Sequence, residues 1–176
     1  ATYNFINKVS QGIADTPTTS VMASAIGRLE RGKTEIIFCP TMHGSMHNSL
    51  LVESCEKLQK LGCHFLKPRD DYGKHNIPDE DVITVFLSRL LSSSPLKGKS
   101  ILVTGGPTPV AIDGIRRLTN HFTGRLGGLI AEELTLRGCE AFLINGTGKY
   151  EPPPWVHYRT IKNYEEYKEL VLKVVK

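Results

Sequence analysis

Two stretches in the second half of the chain carry residues suited to holding an anion. One is Gly105-Gly106-Pro107-Thr108-Pro109, directly after the apolar run Ile101-Leu102-Val103. The other runs Asn120-His121-Phe122-Thr123-Gly124-Arg125-Leu126-Gly127-Gly128 and leads into a segment of helical period. Glycines let backbone N–H groups approach a phosphate, and a helix N-terminus adds favourable partial charge. Thr123 offers a hydroxyl and Arg125 a positive charge. Taken alone, the same glycines also fit plain turns, because Gly-rich strand-to-helix connections are common. A nicotinamide dinucleotide fits less well. The Gly-x-Gly-x-x-Gly order is missing, and the next strand ends in Ile144-Asn145 without a ribose-binding carboxylate.

In the first half, the segment Cys39-Pro40-Thr41-Met42-His43-Gly44-Ser45-Met46-His47 concentrates polar and soft side chains. His43 and His47 have a spacing that binds zinc from a helix, but Pro40 and Gly44 point to a loop, so no metal site is expected. The run Arg69-Asp70-Asp71-Tyr72-Gly73-Lys74-His75 reads as a solvated loop. Tyr72, Lys74 or His75 can each act as a general acid when its pKa is tuned. The cysteines at 39, 55, 63 and 139 contain no Cys-x-x-Cys pair, which removes zinc-ribbon and thioredoxin readings. Strand-like surroundings make Cys39 and Cys139 small buried apolar residues, and a reducing cytoplasm is the expected location.

The elements that must position these residues follow from hydrophobic period. Phe5, Ile6, Val9 and Ile13 predict a helix over 4–13. Asp15-Thr16-Pro17 marks a second helix start, and Gly27 its expected stop after Ile26. Residues 35–39 predict a strand. A helix over 48–61 is expected to turn Leu50, Leu51, Ser54, Cys55, Leu58 and Leu61 to one face, with Gly62 ending it. Residues 63–66 predict another strand. Pro78-Asp79-Glu80-Asp81 opens a helix with Val82, Val85, Phe86 and Leu90 inward, its acidic residues complementing the helix dipole. The small, polar stretch 92–99 is the best linker candidate. Beyond it come a strand over 100–104 and a helix over 125–136, with Leu126, Leu129, Ile130 and Leu134 inward and Gly138 as its stop. A strand over 141–144, a stiff Pro152-Pro153-Pro154 connector, an edge strand over 156–161 and a terminal helix over 164–175 complete the pattern. Such alternation predicts an α/β fold: open, mostly parallel Rossmann-like sheets with helices on both faces, in two partial domains over 1–94 and 95–176.

The length of 176 residues admits one domain or two small ones. Hydrophobic residues at 40% and charged residues at 23% permit packed cores and argue against global disorder. Lys and Arg number 22 against 18 Asp and Glu. The resulting +4 is mild and spread out, so the expectation is no nucleic-acid partner and an equal fit to an anionic small molecule. No apolar run approaches the ~20 residues of a bilayer span, so no membrane association is expected. The N-terminal residues do not form a signal peptide. The missing initiator Met suggests a processed chain or one cut from something longer.

The second-half residues Val103, Thr104, Gly105, Gly106, Pro107, Thr108, Ile112, Asp113, Ile115, Arg116 and Leu118 to Gly127 resemble the opening of the phosphopantothenate–cysteine ligase domain. That domain has a Gly-Pro/Gly-Thr turn, an Asp, a hydrophobic-Arg pair and then Asn-x-Ser-Ser/Thr-Gly-x-x-Gly. The first half matches in kind. Asn4, Lys8, Gly12 and Asp15 fall on the Ser-Ala-Asn-Thr…Lys…Gly…Asp segment of FMN-dependent cysteine decarboxylases. Cys39 to His47 resembles their Pro-Ala-Met-Asn-x-x-Met-Trp signature. The order is that of the bifunctional decarboxylase/ligase family of coenzyme A biosynthesis.

The resemblance implies FMN beside Tyr3 and Asn4, and substrate beside Met42 and Met46. His43 stands in place of the family Asn as a catalytic, carboxylate-holding residue. On the ligase side it implies CTP with Mg2+ at Gly106, Thr123, Gly124 and Gly127, and Asn120 as the residue stabilising the acyl-nucleotide. Phosphopantothenate, cysteine and phosphopantothenoylcysteine are then the substrates. Phe122 departs from the family Ser, His47 from an aromatic, and the run 69–75 lacks the family's proton-donating Cys. The FMN-phosphate loop of the one domain and the Lys clamp of the other are not found. An internal segment that works with a complementary chain or as a homo-oligomer is therefore expected. Two other readings stay open: a non-catalytic assembly module of this fold, and a small nicotinamide-nucleotide oxidoreductase.

Overall fold

The computed structural model describes residues 1–175. Helix α1 (Tyr3–Ser10) buries Ile6 and Val9, the pair whose spacing predicted it. Helix α2 (Pro17–Leu29) starts at a capping box, in which Thr16 and Thr19 each accept from the other's backbone N–H. It passes through Gly27, the expected stop, and ends at Leu29, with Gly32 closing the turn that follows. There the chain turns left-handed at φ 65°, and Gly32 N–H donates to Leu29 O at 2.8 Å. Strands β1 (Ile37–Phe38) and β2 (Met42–His43) follow, then a 3-10 turn over Gly44–Met46.

Helix α3 (Ser49–Lys60) is capped by Asn48, whose side chain accepts from Leu51 N–H at 3.2 Å. It leads to β3 (His64–Phe65), which pairs parallel with β1. Leu51 and Leu58 enter the core with Ile6, Val9, Phe38 and Met42. Leu50 does not: at 60% exposure it lies outside the buried stripe, as does Leu61. Strands β4 (Arg69–Asp71) and β5 (Lys74–Asn76) form a hairpin, with β2 pairing antiparallel on the far edge of β5. The expected solvated loop is thus a hairpin, turned by Tyr72 and Gly73 at φ 51° and 74°. Two positive φ angles match the right-handed strand twist and close the turn in two residues.

Helix α4 (Glu80–Leu91) opens on acidic residues as expected, but none of its side chains is fully buried, and Val82 is exposed. The chain divides into two compact units, Ala1–Ile83 and Thr84–Lys176, inside this helix. The reason is local. Arg89 donates to Cys139 O at 3.0 Å, Ser92 to Arg137 O at 2.7 Å, and Gly98 N–H to Gly138 O at 2.9 Å. The polar stretch after α4 is therefore tied down onto the second unit.

The second unit contains β6 (Ser100–Gly105), a hairpin of β7 (Val110–Ala111) and β8 (Arg117–Leu118), and helix α5 (Arg125–Leu136). Strands β9 (Glu140–Gly146) and β10 (His157–Ile161) and helix α6 (Tyr164–Val174) follow. The main sheet has the order β10-β9-β6, all parallel, with β10 at an edge. Alternate residues of β9 serve opposite faces. Leu143 packs with Val103, Ala131 and Val156, whereas Ile144 packs with Ile161 and Leu170. Helix α5 covers one face and α6 the other, so the α/β arrangement stands.

The inward face of α5 differs from the expected one. Gly127, Gly128, Ala131 and Thr135 are buried, while Leu126 is 74% exposed and Leu129 and Ile130 are also open. Small residues let the helix axis approach the sheet, and that approach outweighs burial of the larger side chains. Among the described residues no helix is long and apolar enough to cross a membrane.

The packing yields a direct stability test. Leu58→Ala, at a fully buried position, should cost about 2–5 kcal/mol. Leu50→Ala should stay within about 0.5 kcal/mol. Urea midpoints of the two variants read the difference.

Candidate functional site

A cavity of about 520 Å³ opens at the C-terminal end of β6 and the N-terminus of α5. Gly105, Gly106 and Thr108 line one side, and Asn120 with residues 122–127 line the other. All five nucleotide-side positions singled out in the sequence, Gly106, Asn120, Thr123, Gly124 and Gly127, come together here. A Cβ on Gly127 would stand 3.0 Å from the Cα of Gly105, tighter than most real Cβ contacts, so strand and helix would have to move apart. Gly124, the N-cap of α5, has φ 82°, and a Cβ there would run into the Asn145 amide. Gly106 has φ 75°, and its Cβ would meet Asn145 Oδ1 at 2.9 Å. At Gly106 and Gly124 side chains are excluded by sterics and by backbone conformation together.

The polar groups are poised rather than consumed. Thr123 Oγ1 accepts from Arg125 N–H at 3.3 Å, which leaves its hydroxyl proton free to donate outward. Asn120 Oδ1 accepts from Phe122 N–H at 3.2 Å, so its Nδ2 donors are the part left to face a ligand. Arg125 adds the positive charge of the lining, beside the favourable end of the α5 dipole. Phe122, Leu126, Ile130 and Tyr167 form an apolar wall. Tyr167 was not legible as a site residue, because α6 reaches the cavity only through the tertiary fold. Asn145 was noticed only as a missing carboxylate. It is 3% exposed, and its Oδ1 is buried with no hydrogen-bond partner.

In the first unit, Thr41 N–H donates to Ala1 O at 2.8 Å, which brings the start of α1 to the segment before Met42. Tyr3 packs on the core that contains Met42, while Asn4 is exposed. Met42 is buried; Met46, at the end of the 3-10 turn, is exposed. His43 Nδ1 lies 2.8 Å from Ser45 Oγ and accepts from Ser45 N–H. Register pairs His43 with Lys74 and Met42 with His75. The two pairs therefore project from opposite faces of the small sheet. His75 Nδ1 contacts the Asp70 carboxylate, and the His75 and His47 rings meet edge to face at 5.2 Å. Asp70 holds that imidazole by one nitrogen and leaves the other outward. Among the described residues no group of three or more His, Cys, Asp or Glu side chains can hold a metal ion.

A parallel sheet whose strand ends open on a glycine-lined cavity at a helix N-terminus is an α/β arrangement with donors and partial charge suited to an anion. The chain belongs to the flavoprotein family: residues 1–92 match the Flavoprotein family model, and residues 96–176 match that of the DNA/pantothenate metabolism flavoprotein C-terminal domain. It is 41% identical to the coenzyme A biosynthesis bifunctional protein CoaBC of Thermococcus kodakarensis over 82% of this chain and 35% of that protein. Its identity to the Borreliella burgdorferi protein of the same name is 29%, over 99% of this chain and 45% of the relative. A crystal structure of the C-terminal domain of a CoaBC protein aligns at 36% identity over 44% of this chain and 40% of that one, with a TM-score of 0.41. The chain thus spans less than half the length of the curated relatives it matches.

The β7–β8 hairpin, which lies in the chain between the two cavity loops, has its own pH signature. The Asp113 carboxylate accepts from the N–H groups of Arg116 and Ile115 and pairs with the Arg116 side chain, which holds its pKa below the usual carboxylate range. A depressed folded pKa contributes order that is complete above the unfolded value and lost as pH falls through the folded one. The amide resonances of Ile115 and Arg116 should hold steady through the ordinary carboxylate range and shift together only below it. Asp113→Asn should abolish that low-pH step.

Proposed function

We propose that the chain acts in coenzyme A biosynthesis. Residues 1–94 would supply the C-terminal part of an FMN-dependent phosphopantothenoylcysteine decarboxylase domain. Residues 95–176 would supply the N-terminal part of a CTP-dependent phosphopantothenate–cysteine ligase domain. The working enzyme would be larger than this chain, either a longer polypeptide or an assembly with a second copy or a complementary chain. One observation carries the reading: the cavity gathers Gly106, Asn120, Thr123, Gly124 and Gly127 in a chain whose two family matches stand in the order of its bifunctional relatives.

In the ligase half, a carboxylate oxygen of phosphopantothenate attacks the α-phosphorus of CTP, and pyrophosphate leaves. The amine of cysteine then attacks the acyl carbon, and CMP leaves. The glycine-lined turns, Thr123 and Arg125 suit the triphosphate. Asn120 Nδ2 is placed to donate to the oxygen where charge develops as each bond forms. The apolar wall of Phe122, Leu126 and Tyr167 suits a flat base. Mg2+ would ride on the phosphates of the nucleotide, since the described residues offer it no cage.

In the decarboxylase half, Tyr3 and Asn4 would hold FMN at the start of α1. That helix fits such a role: Thr2 makes no side-chain cap, Asn4 is exposed, and Asn7 Oδ1 is buried without a partner. Bound FMN supplies two-electron exchange with the substrate. Met42 and Met46 would flank the substrate, and His43 would hold its carboxylate. Among Tyr72, Lys74 and His75, the oriented ring of His75 is best suited to return a proton. Tyr72 stands fully exposed at the hairpin tip, and Lys74 lies on the His43 face.

Titration of the chain with CTP should raise the melting temperature of the second unit by several degrees, since ligand at 100 times Kd adds about 2.7 kcal/mol. No shift with CTP, or a larger one with NADPH, would sink the ligase reading. In the complete enzyme, Asn120→Ala should slow ligation by about 10²–10³ with little change in CTP affinity. An equal loss in affinity would show that Asn120 only binds.

A further inference from the structure

The end of β9 and the turn that follows it, residues 145–150, are unlike an ordinary surface connection. Their successive contacts all reach the two loops that form the cavity. Asn145 lies in register with Gly105 and places its amide where side chains on Gly106 and Gly124 would otherwise stand. Gly146 sits against Pro107, so closely that a Cβ would overlap the Pro107 backbone. Gly148 sits equally close to the Thr123 carbonyl. Tyr150 N–H donates to Thr123 O at 3.2 Å, its ring covers Gly128, and its hydroxyl donates to the Glu132 carboxylate of α5. Asn145 Nδ2 closes the circuit by donating to Tyr150 O at 3.3 Å.

Two features show that this circuit serves something beyond packing. Asn145 leaves its Oδ1 buried and unpartnered beneath Gly106 and Gly124, a loss of hydration that packing alone does not offset. The orientation of the amide is nevertheless fixed, because only Nδ2 can donate to Tyr150 O. The loops it braces are also the ones that turn Thr123, Gly124 and Arg125 into the cavity, and the Tyr150 hydroxyl is held on the Glu132 carboxylate, which pushes its pKa further up.

We infer that residues 145–150 form a strap that sets the spacing between the two loops of the cavity, with Asn145 and Tyr150 as positioning residues for a nucleoside triphosphate bound there. Neither side chain touches the ligand. Asn145 braces the glycines from below, and Tyr150 ties Thr123 to the first turns of α5. The inference takes its ligand from the ligase reading, but the geometry of the strap does not depend on that reading. An amide suits the brace where a carboxylate would not, because a charge at Asn145 would repel the anion above it and could not donate to Tyr150 O.

The test uses the 176-residue chain, with CTP affinity by calorimetry, melting temperature, and the Gly106 and Gly124 amide resonances. Asn145→Ala and Tyr150→Phe should each weaken CTP binding about five-fold or more and move both glycine resonances. Thr135→Val is the control: its hydroxyl is buried and donates to Ala131 O at 2.8 Å on α5, away from the cavity. It should lower the melting temperature yet keep CTP affinity within about two-fold. The inference is overturned if the strap variants lose no more affinity than Thr135→Val, or if both glycine resonances stay put. If Asn145→Ala does not fold, Tyr150→Phe, which removes a single oxygen, carries the comparison. Should the parent chain not bind CTP, the ligase reading fails, and the glycine resonances alone decide whether the strap sets the loops.

Discussion

Gly105 and Gly127 meet backbone to backbone where β6 ends and α5 begins, and most of the second unit follows from that contact. With a Cβ on either residue the helix would have to stand farther from the sheet. Without one, Gly127, Gly128 and Ala131 become the buried stripe, and the bulkier Leu126, Leu129 and Ile130 turn outward. Glycine inside a helix costs up to about 1 kcal/mol relative to alanine, and two such residues occupy adjacent places near the start of α5. The close approach offsets that loss through packing, and it brings the first turn of the helix against the mouth of β6. The cavity is the space left between the two loops that this approach brings together.

The same constraint shapes the electrostatics. A cavity bounded by a helix N-terminus, Thr123, Arg125 and an amide at Asn120 favours negative charge without a carboxylate in its lining. The neutral Asn145 beneath the glycines keeps it so. The first unit solves a different problem. Its parallel pair β1–β3 is short, and its polar residues ride on a separate antiparallel sheet, where Asp70 orients His75. The residues proposed for chemistry there are held by a hairpin rather than by a helix end. The proposed proton donor and the proposed carboxylate holder, His75 and His43, lie on opposite faces of that hairpin sheet. A substrate touching both would have to pass its edge.

Local signals were legible where they act over a few residues. The helix start at Thr16-Pro17, the start of α5 at Arg125 and the left-handed end of that helix near Gly138 all follow from residue type and spacing, whereas Asn48, expected inside α3, proved to be its cap. Failures cluster where distant segments decide. Gly27 looked like a stop, but a single glycine in a helix is tolerated when a better terminator follows at Gly32. The charged run 69–75 carries no alternation of apolar and polar residues, and its turn residues, Tyr72 and Gly73, are not the usual Asn-Gly pair, so its pairing with β2 had no sequence signal. The face of α5 was misjudged because hydrophobic period weighs large apolar side chains, whereas close backbone approach selects small ones.

By itself, the sequence determined the alternation of strands and helices, the two family segments and the glycine, Thr and Asn positions that line the cavity. These depend on local conformational preference and on motif spacing, both of which are written along the chain. Only the tertiary structure decided which loops face each other and which helix face is buried. It also decided that Tyr167 reaches the cavity, and that residues 145–150 lie beneath it. Those outcomes depend on how closely two backbones can approach and on which polar atoms are left without partners, and both are properties of residues brought together from far apart in the chain.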